Sequence, residues 1–360
     1  MRILKTGLRR PASVIISAMK NLRALDLAGL TGLLGEMGEP AYRARQLHDW
    51  LWARGAEDFS AMSDLPRELR KTLAADYSVS LPRVADEARS ADGTVKLLLE
   101  LDDGARVETV LMPGEYYDAA CVSTMAGCNL GCTFCATGTL GKTRDLAAHE
   151  IAAQVLLLKK ISARLRNVVF MGMGEPLLNY EATLGAVGLL TGPLGIGARR
   201  ITVSTAGVVP GIKRLAGEPQ RVKLAVSLGA PDDARRTELM PLNKKWPLAE
   251  LLAACREYYD KTGRRVTFEY VLLGGYNDSE ADARTVVRLL ARVPHKLNLI
   301  AYNPVENLPF KSPTQKSVDA FLGETRRGAY AAGVRKSRGT DIAAACGQLM
   351  LKQMSDGSRG

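Results

Sequence analysis

Short apolar runs alternate with amphipathic segments through the chain after residue 118. The segment AAHEIAAQVLLLKKISARL, which includes His149, and the segment SEADARTVVRLLARV, which begins at Ser279, have the apolar spacing of helices. Strands are predicted between such segments at 119–123, 166–171, 199–204, 222–228, 265–272 and 296–302. Six strand–helix units in succession favour an α/β fold with a parallel sheet, either doubly wound or curled into a partial (βα)6 barrel.

Residues 21–82 have a helical pattern. Asp26 is placed to cap a first helix, and Leu47, Trp50 and Leu51 recur at helical spacing in a second. Many arginines accompany these apolar positions, so the pattern predicts a small helical accessory domain that binds RNA. The preceding residues 1–20 carry five Lys or Arg and no acid. They are expected to form a disordered basic leader.

Residues 83–116 change to a period of two. Two Asp-Gly pairs, at 92–93 and 103–104, bound the strand-like runs TVKLLLEL and ARVETVLM, which predict a short β extension. Glu108 lies inside the second run. A carboxylate at such a position usually points to solvent, but it can act as a base if it is held near a ligand.

Ligands of parallel α/β folds bind at the carboxyl ends of the strands. That rule selects the loop Cys128–Cys135, the segment GMGEP at 172–176, Ser204, the segment SLGA from Ser227, and Asn303. All of them lie in the predicted barrel, residues 117–350, which is followed by a tail at 351–360.

Composition narrows the class of protein. The 360 residues are 46% hydrophobic with a net charge of +11, which favours a polyanionic partner. The longest apolar run is too short for a transmembrane helix. Six cysteines without a secretory signal predict a cytoplasmic protein whose thiols bind metal or act in catalysis. The chain has only three histidines, which disfavours a hydrolase that depends on histidine.

The central motif is Cys128-x3-Cys132-x2-Cys135. Three thiolates at this spacing can hold a [4Fe–4S] cluster and leave one iron open, whereas a structural zinc ion requires four ligands. Zinc binding and simple burial remain alternatives. The spacing matches the signature of the radical S-adenosylmethionine (SAM) superfamily, and GMGEP resembles the glycine-rich segment of that superfamily that meets the amino group of SAM.

Two further cysteines lie far apart in the sequence. Cys121 ends the first predicted strand, and Cys346 follows the basic segment VRKSRG. Their sulfurs would meet at the mouth of a barrel whose edges come together. The alternative is that both are small core residues, as we expect for Cys255 in its apolar helix.

Three segments together resemble one family. CVSTMAGCNLGCTFCATG, VVFMGMGEPLLN and VRKSRGTDIAAACGQL are similar to the bacterial dual-specificity adenine-C2 RNA methyltransferases, and the resemblance extends from about residue 21 to about residue 350. It implies that Cys128, Cys132 and Cys135 hold a [4Fe–4S] cluster. It implies that SAM is bound by Gly174, Glu175, Ser204, Ser227, Leu228, Gly229 and Asn303.

The same resemblance implies the catalytic groups. Cys346 would carry the methyl group, and Cys121 would form a transient disulfide with Cys346 when product is released. Glu108 matches the family's proton acceptor, and Cys121 competes for that role. The family often has SLHA where this chain has SLGA, so Gly229 removes a side chain near the expected SAM site.

The implied reaction is methylation of C2 of adenine 2503 in 23S rRNA and of adenine 37 in tRNA, with two SAM molecules consumed each time. Expected partners are these RNAs and an electron-donor protein, and the enzyme is expected to be a monomer. Arg335, Lys336, Arg338 and the helical domain would contact phosphates. The alternatives are C8 methylation of the same rRNA adenine, as in a related antibiotic-resistance group, and a non-catalytic zinc-dependent RNA-binding protein.

Overall fold

A computed structural model describes residues 19–328 and 331–350. The expected tail and all but the last two residues of the expected leader lie outside these ranges. Among the described residues, no helix is both long and apolar enough to cross a membrane.

The amino-terminal part is helical, as its pattern predicts. Asp26 caps the first helix by accepting a hydrogen bond from the Gly29 amide at 2.8 Å. Arg23 is buried in the middle of this part, where its guanidinium donates to the carbonyls of Leu51, Val79 and Ala56. The elements are β1 (Lys20–Asn21), α1 (Leu27–Glu36), α2 (Tyr42–Trp52), α3 (Arg67–Asp76) and β2 (Tyr77–Ser78), with β1 and β2 paired in parallel.

Twelve further strands follow in the described chain. They are β3 (Arg83–Arg89), β4 (Val95–Glu100), β5 (Arg106–Met112), β6 (Asp118–Cys121), β7 (Met125–Cys128), β8 (Gly141–Asp145), β9 (Leu165–Phe170), β10 (Ile201–Thr205), β11 (Lys223–Ser227), β12 (Val266–Leu272), β13 (His295–Ala301) and β14 (Ala332–Val334).

Ten of these strands form a single sheet in the order β14-β13-β12-β11-β10-β9-β6-β5-β4-β3. The seven from β14 to β6 are parallel, and the last three are antiparallel. The six predicted barrel strands are confirmed as β6 and β9–β13, and β14 is a seventh that the sequence did not indicate. The β extension continues the barrel sheet through the β5–β6 pair.

Helices connect the parallel strands and cover the sheet, as expected for α/β units. Ser279 begins one of them with a capping box, in which its hydroxyl accepts from the Asp282 amide and the Asp282 carboxylate accepts in return. They are α4 (Ala136–Thr139), α5 (Ala148–Ile161), α6 (Tyr180–Thr191), α7 (Val209–Leu215), α8 (Asp233–Leu239), α9 (Leu248–Thr262), α10 (Glu280–Leu290) and α11 (Gln315–Arg326).

The cysteine loop lies on a hairpin rather than on a plain strand-to-helix connection. β7 pairs antiparallel with β8, and the loop and α4 lie between them. Gly127 has φ +81°, and a side chain there would collide with the carbonyl of Gly141 across the hairpin. Glycine therefore permits the close strand pairing that positions Cys128.

Candidate active site

A cavity of about 170 Å³ lies at the carboxyl ends of the parallel strands. Its wall combines the loop after β7, the segment after β9, and the ends of β10, β11 and β13. This is where the topology predicts a ligand site. The sequence-predicted residues that line it are Cys128, Cys132, Cys135, Gly174, Glu175, Ser204, Ser227, Asn303 and Cys346.

The three loop thiols suit a cluster better than a single metal ion. Within residues 19–328 and 331–350, no three His, Cys, Asp or Glu side chains converge as one ion would require. A [4Fe–4S] cluster instead takes one thiolate at each of several irons, so its ligands surround a volume. Cys128, Cys132 and Cys135 surround such a volume, and burial raises the pKa of each thiol. Their mutual repulsion as thiolates adds to the rise for Cys132, so three thiolates here require a cationic partner.

Glu175 is the most constrained residue of the glycine-rich segment. Its carboxylate is buried, and it accepts from the amides of Ala206 at 2.7 Å and Leu177 at 3.0 Å. Burial nevertheless raises the pKa of Glu175 to about 7. Gly174 has φ +100°, and a Cβ there would lie 2.6 Å from Cβ of Met125. The segment thus packs directly on β7, beside the cysteine loop.

The segment SLGA begins with Ser227, the last residue of β11, and contributes only this residue to the cavity. Ser227 lines the wall, whereas Leu228 is fully buried and Gly229 lies behind the wall. Gly229 has φ +75°, and a Cβ would lie 2.7 Å from Sδ of Met240. The missing side chain at this position is therefore matched by Met240, which occupies the adjacent space.

Buried Arg236 fixes the loops that carry these groups. Its guanidinium donates to the carbonyls of Leu228 at 2.9 Å and Ala206 at 2.6 Å, and to Oδ1 of Asn243 at 2.7 Å. Burial lowers the pKa of Arg236 to about 10. It remains charged at neutral pH and ties the ends of β10 and β11 to one side chain.

A second cavity, of about 270 Å³, adjoins the first. Cys121 lines only this second cavity, whereas Cys346 and Arg335 line both cavities. The two edges of the parallel array do come together: β6, which ends at Cys121, and the segment after β14, which carries Cys346, line the same cavity. Cys346 is exposed and Cys121 is buried. Cys346 therefore lies on the boundary between the second cavity and the first, which contains the cysteine loop and is called the cluster cavity below.

Arg335 links the two thiols electrostatically. Burial, with repulsion from the Cys346 thiolate, raises the pKa of Cys121 to about 12, and Arg335 opposes the rise. The negative charges of Cys346, Glu269 and Cys121 raise the pKa of Arg335. Its Nη1 lies 3.2 Å from Sδ of Met171, which also lines both cavities. The guanidinium is thus placed to stabilise a thiolate on either cysteine.

The carboxyl-terminal segment is docked on the cysteine loop. The Ala136 amide donates to the carbonyl of Gly347 at 2.8 Å, and Oγ1 of Thr137 donates to the carbonyl of Leu349 at 2.8 Å. The β extension also contacts this segment, since Oδ2 of Asp92, in the turn between β3 and β4, accepts a hydrogen bond from the Gly339 amide at 3.1 Å. Distant parts of the chain therefore fix the position of Cys346.

Glu108 does not point to solvent, contrary to the usual expectation for its strand position. Its side chain is buried, Oε1 pairs with Nζ of Lys96 at 2.9 Å, and Oε2 accepts from the Met350 amide at 2.8 Å. Glu108 lies outside the walls of both cavities. Its contacts hold the segment that carries Cys346.

Sequence reasoning missed Glu269, which lines the cluster cavity. It is buried on β12, where Oε1 accepts from Nδ2 of Asn298 at 2.9 Å, and burial raises the pKa of its carboxyl. A signal was present, because an acid within the apolar run of a buried parallel strand requires a reason. Cys255 is buried in α9, as expected, and burial raises its pKa to about 12.

Comparisons with known proteins agree with this geometry. A model of the radical SAM superfamily matches residues 122–285, and a model of the ribosomal RNA large subunit methyltransferase N-terminal domain matches residues 20–79. The crystal structure of a radical SAM methyltransferase from Sphaerobacter thermophilus superposes with a TM-score of 0.88 at 47% identity, over 92% of this chain and 99% of that one.

Curated relatives match over nearly the whole length. A probable dual-specificity RNA methyltransferase RlmN of Pelotomaculum thermopropionicum is 46% identical over 356 residues, which is 98% of this chain and 97% of the relative. The dual-specificity RNA methyltransferase RlmN of Anaeromyxobacter dehalogenans is 47% identical over 340 residues, 91% of each chain.

The fold and the cysteine-lined cavity define a radical SAM enzyme, and the amino-terminal match narrows the class to SAM-dependent RNA methyltransferases. The chain belongs to the RlmN family of dual-specificity RNA methyltransferases. The family resemblance and the α/β barrel fold predicted from the sequence are confirmed.

Proposed function

We propose that this enzyme methylates C2 of adenine 2503 in 23S rRNA and of adenine 37 in tRNA, and that the methyl group travels on Cys346. The observation that carries the proposal is the location of Cys346 on the boundary of two cavities. A methyl carrier must meet the methyl donor on one side and the adenine on the other. Cys346 and Cys135 both line the two cavities, and Cys135 is assigned to the cluster, so Cys346 satisfies that requirement. Cys121 lines the second cavity only.

The cluster cavity is assigned to the cofactors. Cys128, Cys132 and Cys135 would hold a [4Fe–4S] cluster, with SAM bound by the cavity-lining residues Gly174, Glu175, Ser204, Ser227 and Asn303. When bound, the cluster and SAM supply the radical that abstracts hydrogen from an otherwise unreactive methyl group. Buried Glu175, once ionised, offers its carboxylate to the ammonium of SAM. The apolar wall excludes water from the reactive groups.

In the first reaction step Cys346 acts as the nucleophile. Its thiolate attacks the methyl carbon of a SAM molecule, so a carbon–sulfur bond forms on Cys346 as the sulfonium bond breaks. Arg335 stabilises the thiolate before the attack. Adenine C2 is an electron-poor ring carbon that does not attack a sulfonium ion, which is why the methyl group must first be placed on the protein.

Cys121 is assigned to product release. Once the carbon carried on Cys346 has bonded to C2 of adenine, enzyme and RNA are covalently linked. The Cys121 thiolate then attacks Sγ of Cys346 and forms a disulfide, and the bond between that sulfur and the carbon breaks. The carbon keeps the electron pair and takes up a proton, which completes the methyl group. Repulsion from the Cys346 thiolate contributes to the high pKa of Cys121. That repulsion disappears once Cys346 is alkylated, so Cys121 ionises more readily when its attack is needed. An electron-donor protein would then reduce the disulfide.

The second cavity is assigned to the adenine. Its wall includes Lys336 and Arg338 as well as Arg335, which supports their predicted contacts with RNA phosphates. A target base must leave its stack to reach Cys346. Of the two candidate proton acceptors, Cys121 lines this cavity, and the contacts of Glu108 support a positioning role.

Mass spectrometry of rRNA and tRNA from cells with and without the gene tests the proposal. We expect 2-methyladenine to disappear from both RNAs in the deletion strain and to return with the wild-type gene. Loss of 8-methyladenine alone would identify the C8 reaction instead. A colourless protein with stoichiometric zinc after anaerobic purification, rather than a brown one with iron, would exclude radical chemistry.

A further inference from the structure

Positively charged side chains gather at the amino ends of the parallel strands, opposite the cluster. Arg200 precedes β10, Lys223 begins β11, Arg264 precedes β12, and Lys296 is the second residue of β13. We call these four residues the basic rim. None of them belongs to the segments that resemble the family motifs.

Strand alternation places Lys223 and Lys296 on the inner face of the sheet. Lys223 lies four residues before Ser227, and Lys296 lies four residues before Ile300. Ser227 and Ile300 line the cavities, and residues separated by an even number share one face of a strand. Arg200 lies in a short 3-10 helix directly before β10, and its charge, like those of Arg264 and Lys296, acts on Lys223. The basic rim therefore forms one cluster of cations at the amino ends of the strands.

The charges of the rim are not compensated. Within residues 19–328 and 331–350, none of the four forms an ion pair with a carboxylate. Burial lowers the pKa of Lys223, and the charges of Lys296, Arg264 and Arg200 lower it further. Cations kept together without partners concentrate positive potential at these ends of the strands, which attracts a polyanion.

Aromatic side chains connect the rim to the reaction cavity. Tyr116 and Tyr117 precede β6, and their exposed fractions are 75% and 45% although both are large aromatic residues. The guanidinium of Arg200 lies 4.3 Å from the ring centroid of Tyr117. Tyr117 also lines the second cavity, which extends to Cys121 and Cys346. One continuous surface thus leads from the basic rim to the methyl carrier.

We infer that the basic rim and Tyr117 form the RNA entry site, where the rim binds phosphates beside the target nucleotide and Tyr117 stacks on a base. RNA would approach from the amino ends of the strands, and the extruded adenine would enter the second cavity. Single-stranded RNA is commonly bound by this combination of cations and aromatic faces. The inference rests on the proposed function and adds a surface to it.

An acidic electron-donor protein is a weaker match for the rim. A donor must approach the cluster, and the three cysteines lie at the opposite ends of the strands. The tyrosines and the shared cavity suit a nucleotide better than an acidic protein surface.

The test uses holoenzyme carrying Lys223→Gln and Lys296→Gln together. The ligand is an RNA hairpin that contains the target adenine, with affinity measured over a salt series. The matched control carries Lys213→Gln and Lys316→Gln, which remove two exposed lysines from the outer helices α7 and α11. We expect the rim variant to bind RNA about tenfold or more weakly and its salt slope to fall by about 1.4, since each phosphate contact with a single strand contributes about 0.7. The control should match wild type.

Methylation of Cys346 by SAM without RNA should be the same in all three proteins, since the rim lies away from the cluster cavity. Tyr117→Ala should lower RNA methylation and leave Cys346 methylation intact. Wild-type affinity and salt slope in the rim variant would overturn the inference, as would normal RNA affinity with slow reduction by the donor. Failure of the wild-type enzyme to form 2-methyladenine would instead refute the proposed function, whatever the rim binds.

Discussion

Nζ of Lys96 lies 2.9 Å from Oε1 of Glu108 inside the sheet, and their side chains are only 7% and 1% exposed. Each partner also holds the carboxyl-terminal segment. Lys96 donates to the carbonyl of Ala343 at 3.3 Å, and Glu108 accepts from the Met350 amide at 2.8 Å. The pair therefore clamps both sides of Cys346, and its integrity should determine where that thiol lies.

Removing one partner should cost more than removing both. Lys96→Met leaves a buried carboxylate without its cation, and such losses typically cost about 3–5 kcal/mol. We expect chemical unfolding to show a clear loss of stability and Cys346 methylation to slow. The double variant Lys96→Met with Glu108→Gln has no buried charge at this position and should recover much of the stability. If the loss of stability in the double variant equals the sum of the losses in the two single variants, the pair is not coupled.

Glu108→Gln by itself separates positioning from proton transfer. The amide oxygen can still accept from the Met350 amide, so the segment should remain partly held. A positioning role predicts slower methylation of Cys346 before any RNA is present. If Glu108 removes the C2 proton, Cys346 methylation should be normal, and a covalent enzyme–RNA adduct should accumulate instead. Gel mobility and intact-protein mass distinguish the two results.

Substitution of the two thiols proposed to be catalytic should have different effects. Cys346→Ala should abolish methyl transfer while the iron content of anaerobically purified protein stays at the wild-type value. Cys121→Ala should trap the enzyme covalently on RNA, because no thiol can displace the Cys346 sulfur. Cys255→Ala is the control, since Cys255 is buried away from both cavities. A fully active Cys121→Ala enzyme would refute the role given to that residue.

Arg335 should set the pH dependence of product release. Its charge opposes the rise in the pKa of Cys121, so Arg335→Gln should raise that pKa further. The thiolate is then scarcer at neutral pH, and release from the adduct should slow but recover as pH increases. Single-turnover release measured from pH 7 to pH 9.5 checks this, with Arg335→Lys expected to keep most of the wild-type profile. An unchanged profile in Arg335→Gln would show that the guanidinium does not act on Cys121.

SAM affinity should depend on the ionisation of Glu175, whose pKa burial raises to about 7. The ionised carboxylate attracts the ammonium of SAM, and this attraction is lost as pH falls through that value. We expect affinity to weaken by at most about tenfold between pH 7 and pH 6, and to change little above pH 8. Equilibrium dialysis measures it, and Glu175→Gln should bind weakly at every pH. A wild-type affinity that is flat from pH 6 to pH 8 would be inconsistent with this contact.

Local patterns were sufficient for most of the architecture. The Asp26 cap, the helix that follows Ser279 and the apolar runs of the parallel strands depend on near neighbours in the chain, so periodicity and end signals predicted them. The carboxyl-end rule likewise predicted which residues would surround the cluster cavity. The motif spacing Cys128-x3-Cys132-x2-Cys135 identified the radical SAM class because all three cysteines come from one loop.

Glu108 shows where such patterns fail. Alternation along β5 indicates which face a residue takes, but not whether the carboxyl-terminal segment covers that face. The partner of Glu108 on that segment, Met350, is 242 residues away. β14 was missed for a similar reason, since three residues are too few to show a period.

The sequence by itself determined the family, the loop that holds the three motif cysteines and the order of the elements, because those features are encoded in short contiguous stretches. Only the tertiary structure decided that Cys346 borders two cavities while Cys121 lines one, that Lys96 and Glu108 hold the segment on both sides of Cys346, and that four separate cations act on one another at the amino ends of the strands. These relationships arise from the curvature of the sheet and from docking of the segment that carries Cys346. Burial and mutual electrostatic influence depend on distance in space, which spacing along the chain does not encode.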